Sequence, residues 1–193
     1  MKYVYLIFGL AAIFFFMSMP TTTFSQAGKT RVSLKASVTQ RLGADTDITI
    51  DYSRPGVKGR KIWGELVPFG LAPGNKSSKD KPFPWRAGAN ENTTISFNKD
   101  ILIEGQKLPA GKYGIHMIPS KTTWVIAFSK NSAAWGSFSY NQDEDALRVT
   151  VTPVKAPFEE WLMSGFDDLT ANSATSFLRW EELKVPVKVK LAE

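Results

Sequence analysis

A two-residue alternation of apolar and polar side chains runs through most of this chain, and it leaves few architectures open. In "DITIDYS" (47 to 53), Ile48, Ile50 and Tyr52 share one face while Asp47, Thr49 and Asp51 share the other. "ALRVTVT" (146 to 152) sets Leu147, Val149 and Val151 against Arg148, Thr150 and Thr152. "KVPVKVK" (184 to 190) repeats the pattern with Val185, Val187 and Val189 opposite Lys184, Lys188 and Lys190. Side chains on an extended strand alternate between the two faces of a sheet, so this period marks strands with one buried face. Pro186 lacks an amide donor, which predicts an edge position for the last of these strands.

Further strands are expected near 32 to 39, 92 to 97, 101 to 104, 112 to 118, 122 to 128, 135 to 140, 160 to 167 and 174 to 181. Turn-forming runs such as "NKD", "EGQKLPAG", "PSK" and "NQDED" separate them. No amphipathic helix is legible beyond a single turn around Glu65 or Glu159-Glu160. Many short strands without helical crossovers predict an all-β fold, a single antiparallel β-sandwich of jelly-roll type, with a closed β-barrel as the alternative. One segment escapes the period. "LVPFGLAPGNKSSKDKPFPW" (66 to 85) reads as a long loop with a flexible tip, its ends pinned by Phe69, Leu71, Phe83 and Trp85.

The first residues say where such a chain goes. Lys2 precedes an almost wholly apolar run from Tyr3 to Met19, and Ser25-Gln26-Ala27 supplies the small residues of a cleavage box. This reads as a signal peptide over 1–27, followed by one β-sandwich domain over 28–193 in the periplasm or outside the cell. The rival is an uncleaved anchor, because the run approaches the ~20 residues of a membrane span. Removing 1–27 takes Lys2 and no acidic residue, which lowers the formal charge from +6 to +5. Basic residues are dispersed apart from "VKGRK" (57 to 61), so anionic surfaces such as acidic glycans fit better than nucleic acid. The absence of cysteine excludes disulfides and thiolate metal sites, and no metal or other cofactor is expected.

Candidate site residues gather in "PWRAGANENTT" (84 to 94). Trp85, Arg86, Asn90 and Glu91 offer an aromatic plane, a guanidinium, an amide and a carboxylate. The same residues also suit a clamp in which Arg86 pairs Glu91 or Asp51, with Asn90 in a turn position that tolerates positive φ. His116, the one histidine, lies in "KYGIHMI" beside Gly114, whose missing side chain leaves space for a ligand or an arriving group. Glu91 and His116 are the candidate catalytic groups, although no G-x-S-x-G elbow accompanies the histidine. "SRPGVKGRKIWG" (53 to 64) places Arg54, Lys58, Arg60 and Lys61 around Gly56 and Gly59, a composition suited to cradling an anion. It lacks a P-loop pattern and reads equally as a Pro-Gly turn. "NQDEDA" opens like a calcium loop but has Ala146 and Thr152 where glycine and glutamate are required, so it reads as a hairpin turn. Of six tryptophans, Trp124 sits in a doubly apolar strand, while Trp63 and Trp85 flank the long loop and are the candidates for a binding surface.

With these stretches in view, the chain resembles the uncharacterised bacterial family known as domain of unknown function 2911. The carrying segments are "DYSRPGVKGRKIWGELVPFG", "PWRAGANENTTISF", "LPAGKYGIHMIP", "WVIAFSKNSAAWGSFSY", "DALRVTVTP" and "NSATSFLRWEELKVPV", spanning about 32 to 190. The resemblance implies an exported, mostly β protein and no established activity. It also implies a W-R-x-G-x-N-E-x-T signature on Trp85, Arg86, Gly88, Asn90, Glu91 and Thr93 or Thr94. The loop "LAPGNKSSKDKPF" departs from the family by its length. Three functions remain in play, the third being a purely structural subunit that neither binds nor turns over a ligand. One is a non-enzymatic envelope module that binds a glycan, peptide or protein partner through Trp63, Trp85, Arg86, Asn90, Glu91 and Arg60. Another is a hydrolase, most naturally carbohydrate-active, using Glu91 with Arg86, His116 or Asp51, since glycoside hydrolysis normally requires two carboxylates.

Overall fold

The computed structural model describes residues 30–192; the expected signal peptide and its cleavage box lie outside the described residues. Ten strands follow in order: β1 (Leu34–Leu42), β2 (Thr46–Arg54), β3 (Thr93–Phe97), β4 (Ile101–Ile103), β5 (Gln106–Leu108), β6 (Gly111–Ile118), β7 (Trp124–Ser129), β8 (Asp145–Val151), β9 (Val154–Asp167) and β10 (Ser173–Leu191). They form two open antiparallel sheets, ordered β1-β2-β3-β6-β7-β8 and β5-β4-β10-β9. This is the sandwich that the alternation demands, and neither sheet closes into a barrel. No helix among the described residues is long and apolar enough to cross a membrane.

The inner faces carry the apolar half of each alternation. Ile48, Ile50, Ile95, Phe97, Ile115, Met117, Ile126, Phe128 and Val149 of the larger sheet are buried against Ile101, Ile103, Leu108, Leu162, Leu178, Trp180, Val185 and Val189 of the smaller. At one end of this core Trp63, Trp85, Trp124 and Trp180 cluster, Trp85 and Trp180 stacked at 6.1 Å and Trp63 edge-on to the other three at 5.0 to 5.9 Å. Rings packed edge-to-face and offset add specific contacts to the large area that they bury.

Four expectations are corrected. Pro186 does not mark an edge, because β10 lies between β4 and β9. The strand tolerates the proline because it changes partner there: its ladder with β9 ends at Lys184 and that with β4 begins at Val189. Segment 135–140 is a series of turns rather than a strand, with Gly136 at φ +69. The tip of the long loop is ordered by hydrogen bonds: a 3-10 turn at Lys76–Ser78 is capped by Asn75, whose Oδ1 accepts the Ser77 and Ser78 amides. Finally, 174–181 and 184–190 are one strand. Its ladder is interrupted around Glu181, which sits at φ +54, and β9 bulges opposite. Such a φ is uncommon for a residue with a side chain; a bulge bends a strand and re-aims its side chains. The displaced part of β9 pairs instead with 55–57, through Val57 N–H to Glu160 O at 2.8 Å and Leu162 N–H to Pro55 O at 3.0 Å.

Candidate functional site

The 84–94 stretch is an excursion from one strand line. Trp85 exchanges two backbone hydrogen bonds with Met117 of β6, at 2.9 and 2.7 Å, and Thr93 pairs with Ile115 of the same strand. Between them the chain loops out and returns, with Ala87 at φ +53 and Asn90 at φ +62. Three side chains brace it: Thr93 Oγ1 donates to Ala87 O at 2.9 Å, Trp85 Nε1 to Gly88 O at 3.2 Å and Arg86 to Asn90 O at 2.6 Å. The turn role expected of Asn90 is therefore met.

Arg86 and Glu91 do not pair. Glu91 is held by Arg31 in a two-point fork, Nη1 to Oε1 at 2.7 Å and Nη2 to Oε2 at 2.5 Å, with Lys35 Nζ at 3.3 Å. Matched forks of this kind are the strongest arginine–carboxylate geometry. The Arg31 guanidinium lowers the Glu91 carboxyl from 4.5 to about 2, which leaves it without a proton to donate at neutral pH. Nothing local in the sequence announces Arg31, which lies sixty positions away.

Arg86 instead packs its guanidinium on Gly136 and over the Phe138 ring, 4.7 Å from the centroid. A Cβ at residue 136 would lie 2.1 Å from the Arg86 Cζ, so the glycine is required for this approach as well as for its φ. Burial pushes the Arg86 pKa down, and no carboxylate among the described residues pairs with it. A desolvated cation without a counter-charge is costly unless something else meets it.

Two surface concavities divide the candidate residues. The first, about 590 Å³, lies on the outer face of the larger sheet and is lined by Lys35, Ser37, Asp51, Glu91, Asn92 and Lys112, among others. Its charges are matched in pairs: Glu91 with Lys35, and Asp51 with Lys112 at 3.5 Å and with the Ser37 hydroxyl at 2.8 Å. The second, about 370 Å³, gathers Lys58, Arg60, Trp85, Arg86, Asn90 and Trp180, and no carboxylate residue lines it. Arg60 is held there by the carbonyls of Gly56 at 2.6 Å and Val57 at 3.1 Å. Four of the six expected ligand-binding residues, Trp85, Arg86, Asn90 and Arg60, thus meet in one cleft. Glu91 belongs to the other concavity. Trp63 lines neither: it is half-buried, packs among the other tryptophans and donates Nε1 to Glu181 Oε2 at 3.0 Å. The more exposed tryptophans are Trp135 and Trp161, 61% and 38% accessible, which the periodicity did not single out.

His116 is sealed. It is 2% exposed, its Nδ1 lies 2.7 Å from the Oγ of the fully buried Ser137, and its ring meets Tyr140 edge-on at 4.9 Å. Burial, with Arg86 nearby, lowers its pKa from 6.5 to about 4, so it is neutral at physiological pH. The space at Gly114 is filled by the Asn131 carbonyl and the Asn92 amide, at 2.9 and 3.0 Å from a would-be Cβ. A serine and a histidine are in contact, but neither is open to a substrate. Among the described residues no group of three histidine, aspartate or glutamate side chains is placed to hold a metal ion.

The sequence profile of the family described as "Protein of unknown function (DUF2911)" matches residues 33–189. No curated protein and no solved structure matches the chain.

Proposed function

The chain belongs to the DUF2911 family, and from that premise, which carries no activity, we propose a non-enzymatic binding module of the bacterial envelope. In this reading the cleft of Lys58, Arg60 and Arg86 receives an anionic group of a glycan, peptide or protein partner. Export rests on the leader-like sequence of 1–27. The observation that carries the rest is the half-buried Arg86 guanidinium without a carboxylate, in a concavity that holds two further cations and no acidic residue in its lining. Other arginines of the molecule do meet carboxylates, as at Arg31–Glu91 and Arg41–Asp47. A bound carboxylate or phosphate would complete the set, with Trp85 and Trp180 as the apolar wall.

Titration calorimetry with galacturonate, glutamate and inorganic phosphate tests the reading. At least one anion should bind, and Arg60→Gln should weaken it by about tenfold or more, equivalent to ~1.4 kcal/mol. Glu91→Gln should leave the affinity unchanged. Absence of binding by all three, or equal affinity in the Arg60 variant, overturns it.

A second reading, a hydrolase at the other concavity, has one feature in its favour. Asp51 and Glu91 line the same space, and the buried Asn92 Oδ1 there has no partner among the described residues. The low pKa of Glu91 weighs against it as an acid. Turnover of a chromogenic glycoside panel that disappears in Glu91→Gln would establish it in place of the binder.

A further inference from the structure

The cationic cleft has an aromatic rim that its lining residues only hint at. The bulge in β9 turns Trp161 outward, and the ring comes to rest against Gly56, one of the residues lining the cleft. A Cβ at Gly56 would stand 3.1 Å from Trp161 Cζ3 and 3.0 Å from Glu160 Oε1. Glycine at 56 thus answers a need for space. It lets the indole edge approach the cleft wall, while the Glu160 carboxylate accepts the Lys58 amide at 2.9 Å. Lys58 Nζ, also of the cleft, reaches to 5.5 Å from the Trp161 centroid. The arrangement is a partly exposed indole at the edge of the cationic cleft, with the Lys58 ammonium over its ring.

We propose that the ligand of this cleft is an acidic glycan: a uronate carboxylate sits with Arg60 and Arg86, and a neighbouring sugar ring stacks on Trp161. The inference rests on the anion-binding reading above and adds the substrate class. An indole face accepts the C–H surface of a pyranose, a weak contact that becomes specific when a charge fixes the register beside it. Lys58 serves both subsites, swinging from the indole toward a carboxylate on the next residue of the chain. An acidic peptide would use the same cations, but it would gain nothing from a flat ring lacking a side-chain pocket.

The test uses residues 28 to 193 with four probes: galacturonate, trigalacturonate, a neutral galactose trisaccharide and triglutamate. Affinities are measured by calorimetry, with tryptophan fluorescence as the second readout. Trigalacturonate is expected to bind at least tenfold more tightly than galacturonate and to perturb the fluorescence. Trp161→Ala should erase that gain and leave galacturonate binding intact, and Trp161→Phe should restore part of it. If galacturonate binds but length adds nothing, or if Trp161→Ala binds the trisaccharide as well as wild type, the glycan inference fails and the anion site stands. Equal binding of the neutral trisaccharide overturns the role of the charges in the inference. Tighter binding of triglutamate replaces the glycan with an acidic peptide. If none of the four binds, this inference and the anion-binding reading fall together.

Discussion

The two concavities hold similar numbers of charged residues and differ in how those charges are used. On the outer face of the larger sheet, Glu91 is forked by Arg31 and approached by Lys35, and Asp51 faces Lys112. Beside the tryptophan cluster, Lys58, Arg60 and Arg86 share a space with no carboxylate in its lining. In the first set each charge faces an opposite one. The second is held by carbonyls and aromatic rings, which orient cations without neutralising them. A count of charged residues along the sequence cannot separate these cases. The distinction lies in what each charge meets in space.

The largest expected effect separates the wall of the cleft from its rim. Trp180 is fully buried and stacks on Trp85, so Trp180→Ala should destabilise by about 3–5 kcal/mol in urea unfolding. Trp161→Ala, at the rim, should stay within about 0.5 kcal/mol of wild type, as surface changes generally do. Equal costs would mean that rim and core are one packing unit, and the platform would lose its independence.

Acid should divide the molecule next. His116 is held neutral by burial, its pKa lowered from 6.5 to about 4, so the unfolded chain binds a proton that the folded chain refuses between those values. Stability therefore declines as pH falls from about 6.5 to 4, by roughly 3 kcal/mol at the far end. Urea midpoints from pH 7 to 4 should show this slope, and His116→Gln should flatten it. Glu91 acts lower: its depressed pKa contributes stability that is present above about 4.5 and lost toward about 2. A slope that survives in His116→Gln would assign the first window to another group.

The smallest expected effect sharpens the contrast between the two arginines. A double-mutant cycle on Arg31→Gln and Glu91→Gln should show coupling in thermal unfolding, modest because both side chains are a third exposed. The matching cycle on Arg86→Met and Glu91→Gln should be additive. Strong coupling in the second cycle would restore the clamp that the sequence suggests.

Much of the fold was legible because alternation is a local signal. Ile48, Ile50, Val149 and Val189 needed no partner to announce their inward face. Pro186 misled because its position depends on where β10 exchanges β9 for β4, a fact about two other strands. Segment 135–140 misled because Gly136 bends it to receive Arg86 from a distant loop. The site was legible in part for the same reason. Trp85, Arg86, Asn90 and Arg60 were identifiable as residue types and do converge. Glu91 was claimed by Arg31, Trp63 by the other tryptophans, and His116 by Ser137, and each of those captures is a long-range contact. Trp161 went unnoticed because it reads as one more apolar strand residue until a bulge turns it outward.

The most direct test of the contrast is a titration of isotope-labelled residues 28 to 193 with galacturonate, followed by amide chemical shifts. Saturable shifts are expected to concentrate at 55–60 and 85–90, with 35–37, 51–53 and 112 unmoved. Shifts confined to the second group, or none at all, would contradict it.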